Sequence, residues 1–149
     1  MQRGFTLVEI LVAIVLLGIL MLAGWAFSFT YLRDQQVRAA ADTVYNELQR
    51  AQTEAHAQTD DASHGIAVFS DRVVRFVGET YATRNETQDA EMMFAGSVTV
   101  SGVSEFVFPA ASLAPTTTGT VTLSSDTIAM DITISAYGVT TITEGTVGP

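Results

Sequence analysis

The sequence predicts an α+β protein: a long N-terminal helix packed on an antiparallel β-sheet. Three observations predict it. From Ile10 to Phe27 every residue is apolar or glycine. From there to about Ala57 apolar residues recur at spacings of three and four, and no Pro or Gly interrupts Ser28 to His64. Beyond Gly65 the pattern changes to short alternating runs separated by turn residues.

The first run, Ile10 to Phe27, covers 18 residues, or roughly 27 Å of helix at about 1.5 Å per residue. Phe5 to Val8 and Ser28 to Phe29 extend it to spanning length, with Glu9 as its only charge. The expectation is therefore a helix from about Phe5 to Ala57 whose first half, residues 5–30, crosses a membrane once. Trp25, Phe27, Phe29 and Tyr31 fit interfacial anchors on the far side, followed by Arg33 and Asp34. Arg3 on the near side fits the positive-inside tendency. This orients the rest of the chain to the far, extracytoplasmic side of the membrane. Gly18 and Gly24 serve close helix packing or flexibility. A carboxylate near the start of such a helix is costly. Glu9 either lies at headgroup level near the favourable helix N-terminus or has a partner.

Residues 31–64 read as the amphipathic outer half of the helix and its closing turn. Val37, Ala41, Val44, Leu48, Ala51 and Ala55 form the apolar stripe, widened by Tyr45. The small residues Ala40, Ala41, Ala51 and Ala55 let a sheet approach closely. His56 and His64 flank a polar turn with Asp60 and Asp61. Such residues at a helix end are commonly plain surface, and no metal or other cofactor is expected.

Residues 65–149 read as a β-rich domain. Ile66 to Phe69 and Arg72 to Val77 form a hairpin, and Thr80 to Thr83 a short further strand. Met92 to Phe94, Ser97 to Val100 and Glu105 to Phe108 are extended, and Ala110 to Gly119 is a surface loop. Thr120 to Ser124, Thr127 to Ile134 and Val139 to Thr143 make an antiparallel meander. Ile128, Met130, Ile132 and Ile134 share one face and are expected to meet the helix stripe.

Composition removes several function classes. Cysteine is absent, which excludes disulfides, thiolate zinc sites and thiol chemistry. The formal charge is −9, and all seven basic residues are arginine, none beyond Arg84. Such a field repels phosphate backbones, so a nucleic-acid partner is disfavoured. Arg72 and Arg75 are three apart, which on a regular strand puts them on opposite faces. No nucleophile–base pair, metal-ligand spacing or phosphate-binding glycine loop marks an enzyme. Asn85-Glu86-Thr87 is a formal glycosylation sequon, for which no glycan is expected.

The opening Gly4-Phe5-Thr6-Leu7-Val8-Glu9, followed by the apolar run, resembles the class III signal of type IV prepilins and pseudopilins. The resemblance is strong over residues 1–30 and looser beyond. It implies a pilin-like fold and a leader, residues 1–4, removed by a prepilin peptidase between Gly4 and Phe5. Phe5 would then be N-methylated, and Glu9 would pair with the Phe5 amine of a neighbouring subunit. The β-rich remainder is similar to the minor pseudopilin H and minor pilin T group. The implied function is a structural, minor subunit of a type IV pilus or type II secretion pseudopilus. Its partners would be the peptidase, other subunits and an inner-membrane assembly platform, and its expected place the cell inner (cytoplasmic) membrane, single-pass, until it enters the filament. The alternative is a minor pilin acting as a surface binding or adhesion module, or in DNA uptake.

Overall fold

The structure, a computed structural model, describes residues 6–147, the side chains of 23–29 and 146 excepted. Helix α1 runs Leu7–His56. Eight strands follow: β1 (His64–Val68), β2 (Arg72–Val77), β3 (Ala90–Met93), β4 (Thr99–Gly102), β5 (Glu105–Phe108), β6 (Gly119–Ser124), β7 (Ile128–Ile134) and β8 (Thr140–Thr146). The chain divides into two compact units, Met1–Leu32 and Arg33–Pro149.

The α+β class and the antiparallel pairing hold. Instead of one sheet, however, the strands form two four-stranded sheets, ordered β3-β2-β1-β5 and β4-β6-β7-β8. Every pair is antiparallel. The segment Thr80 to Thr83 is a 3-10 turn, Tyr81–Thr83, and not a strand. The Thr80 side chain accepts from Thr83 N, a local cap that competes with sheet pairing.

Among the described residues no helix is long and apolar enough to cross a membrane. This corrects the expected membrane-spanning half, residues 5–30, and with it the single-pass placement in the inner membrane. Glu9, a carboxylate, lies within the apolar run, at a cost to any insertion in a hydrocarbon core. Phe5, and the side chains of Trp25, Phe27 and Phe29 read as interfacial anchors, lie outside the described residues.

In the second unit the periodicity of the helix is realised. Val37, Ala41, Val44, Leu48, Ala51 and Ala55 are all buried. They share one cluster with Ile66, Val73, Phe106 and Phe108 of the first sheet and with Ile128, Met130, Ile132 and Ile134 of the second. Both sheets thus present apolar faces to the same helix stripe. The alternation of β7, whose odd partners are half-buried, follows the period-two rule of strands. The opposite face of the first sheet has its own small cluster, in which Phe76, Ala67 and Val107 lie under Phe69 and Tyr81.

Ionic and amide bonds fix where the helix lies. Arg75 of β2 faces α1, and its guanidinium bridges Glu47 at 3.0 Å and Glu54 at 2.5 Å. Arg72 pairs instead with Asp71, at 3.1 Å, so the two arginines do not converge. Gln52 donates to the carbonyls of Leu113 (2.8 Å) and Gly138 (2.9 Å), tying the 110–118 loop and the β7–β8 turn to the helix. Arg84 covers Tyr81, its guanidinium carbon 3.8 Å from the ring centre, and pairs with Asp89 at 2.8 Å. The Asp89 hydrogen bond, opposed by partial desolvation, holds the Arg84 guanidinium above the ordinary arginine range.

Candidate functional site

Chemistry-bearing residues concentrate at the start of α1. Thr6 precedes the first helical residue, and its backbone oxygen and its hydroxyl accept from Glu9 N at 3.1 and 3.3 Å. This is an N-cap, which satisfies one of the orphan donors of the first turn. The sequence reading missed Thr6. The signal was present in Thr6-x-x-Glu9, the spacing of a capping box before an apolar run.

The cap leaves the Glu9 side chain exposed, at the positive end of the helix dipole, where a carboxylate is favoured. Glu9 borders a shallow apolar groove formed by Ile10, Ala13, Ile14 and Leu17 on one helix face. Around it the helix is apolar on every side, with Leu7 80% and Leu20 70% exposed. An all-round apolar helix needs a covering partner, because water-exposed apolar area of this extent marks an interaction surface. Gly4 and Phe5, the expected processing residues, lie outside the described residues.

Residues 1–25 match the prokaryotic N-terminal methylation motif. The motif is that of prepilin-type chains, whose members are structural subunits and not enzymes. It is consistent with the broad pilin and pseudopilin family, with processing by a prepilin peptidase, and with assembly alongside other pilins. It does not single out a minor-pseudopilin identity. No curated protein and no solved structure matches the chain.

The two histidines separate. His56 is exposed at the end of α1. His64, read as surface, is 2% exposed, with Nε2 2.9 Å from the Thr59 carbonyl and Nδ1 3.4 Å from Glu54. Its register opposite Val77 and Phe108 places it between two strands, which no local pattern in the sequence signals. Among the described residues no group of three or more His, Asp or Glu side chains is arranged to hold a metal ion.

Proposed function

We propose that the chain is a processed structural subunit of a filament, either a type IV pilus or a type II secretion pseudopilus, and a minor component of it. The methylation motif over residues 1–25, leading directly into an apolar helix, carries the reading. In this reading a prepilin peptidase cleaves between Gly4 and Phe5 and methylates the new Phe5 amine. The helix then packs among the helices of other subunits at an assembly platform, which covers its exposed apolar surface.

Within such a bundle the free amine of Phe5 and the carboxylate of Glu9 are the two charges needing partners. In a low dielectric each penalises the other's absence by several kcal/mol, so a Glu9 from one copy facing the amine of the next sets the axial register. The exposed position of Glu9 beside the groove of Ile10, Ala13 and Leu17 suits a contact with another chain.

The test is Glu9→Ala in the native host. The processed variant should accumulate normally yet be depleted from sheared filament fractions, with subunit crosslinks lost. Incorporation at the wild-type level contradicts the assignment.

A further inference from the structure

Helix α1 ends beside a buried titratable side chain that filament assembly does not use. His64, the first residue of β1, is almost wholly enclosed. Its Nε2 lies 2.9 Å from the carbonyl oxygen of Thr59. A carbonyl only accepts, so Nε2 carries a proton and donates. In a neutral ring that leaves Nδ1 as a bare acceptor. Nδ1 is buried without a hydrogen-bond partner, and Glu54 Oε2, 3.4 Å away, is another acceptor. Both ring nitrogens thus lie beside acceptors, and only the doubly protonated ring satisfies such a site.

The charges packed around the ring favour a further cation. From α1 come Glu54 and Glu47, and from β2 comes Arg75, which bridges them at 2.5 and 3.0 Å. Arg50, 3.4 Å from Glu47, is mostly exposed, so two carboxylates share one buried guanidinium. Glu54 also lies in the last turn of α1, where the helix dipole disfavours negative charge. The closing turn adds Asp60 and Asp61, and the helix end His56, all exposed. The strand neighbours of His64 in register are Val77 and Phe108, neither of them charged.

The turn that the ring anchors is strained. Gln58, Asp60 and Asp61 have φ 55°, 56° and 49°. This left-handed region is disfavoured for any residue with a Cβ, so the turn depends on contacts such as the bond from Nε2 to Thr59.

We propose that His64 is a proton-operated latch between the end of α1 and this turn. Taking a second proton from water at Nδ1, the ring donates to Glu54 while Nε2 holds the Thr59 carbonyl. Glu54 is only half-buried, which keeps this side of the ring within reach of solvent. With the proton in place, the turn is pinned to helix and sheet together. Without it, the Nδ1 lone pair and the carboxylate repel, and the turn loosens. The ring gains this partner on folding, so the latch stabilises the fold at low pH. Its contribution is lost as pH rises through the titration of the folded ring.

The experiment follows the isotopically labelled full chain in detergent solution, from mildly alkaline pH down to the pH at which the fold is lost. Long-range proton–nitrogen spectra distinguish the two neutral tautomers from the doubly protonated ring, and His56→Asn assigns the His64 signals. As pH falls, His64 should pass from the Nε2–H form to the doubly protonated form. Across the same step, amide protection of Gln58 to Ser63, corrected for intrinsic exchange, should rise roughly threefold or more. In Glu54→Gln the side-chain amide can donate to Nδ1, so the neutral ring is satisfied and the protection step should vanish. A ring that stays in one neutral tautomer while the fold persists overturns the proposal. So does a second proton that arrives without a change in protection, or an undiminished step in Glu54→Gln. If that variant fails to fold, the wild-type titration decides alone.

Discussion

Arg75 of β2 and Glu47 of α1 face each other across the helix–sheet interface, with Nε 3.0 Å from the carboxylate oxygen. Glu47 is 7% exposed and Arg75 18% at the side chain, and the same guanidinium also holds Glu54. Removing the arginine leaves buried Glu47 only a longer contact with Arg50, at 3.4 Å, and Glu54 only His64, also at 3.4 Å. Arg75→Leu should therefore destabilise the fold by about 3 kcal/mol, the low end for a broken buried pair because Glu54 keeps some water. Arg38→Ala, which breaks the pair with Glu144 between two half-exposed side chains, should cost less than about 1 kcal/mol. Urea unfolding of both variants checks the ordering, and equal losses would refute it.

Gln52 makes the second cross-link. Its amide nitrogen serves the carbonyls of Leu113 and Gly138, and Gly138 has φ +75° and no room for a Cβ, which would lie 1.9 Å from Leu113 O. Gln52→Leu leaves two carbonyls without their donor and should cost about 1–3 kcal/mol. Amide exchange should show the loss first in residues 110–118 and in the β7–β8 turn. Uniform loosening of all strands would count against this attribution.

The helix ends on a residue ill suited to its backbone. Gln58 has φ 55°, the left-handed region, one residue past Ala57, whose N–H still bonds to Thr53. Glycine is the usual occupant of such a position, because a side chain there costs roughly 1 kcal/mol. Gln58→Gly should raise stability by about 0.5 kcal/mol, once the added chain entropy of glycine is deducted. A lower unfolding midpoint would contradict it.

The helix and the meander could be read in the sequence because each repeats. Val37 to Ala55 recurs with the period of a helix, and Ile128 to Ile134 with that of a strand, and burial follows both patterns. The division into two sheets could not be read. It depends on β5 joining β1 and β4 joining β6, non-local pairings that leave no trace in local spacing. The burial of His64 is hidden for the same reason. The N-terminal motif was legible because it is local, yet the membrane span inferred from the same run was not upheld among the described residues.

The proposed course of the chain is processing followed by assembly through its first helix. The most direct measurement is the intact mass and N-terminal fragment spectrum of the chain recovered from its native host. The prediction is a mature form beginning at N-methylated Phe5, with residues 1–4 absent, and a longer precursor when Gly4 is replaced. A native chain that still begins at Met1 and carries no methylated Phe5 would contradict it.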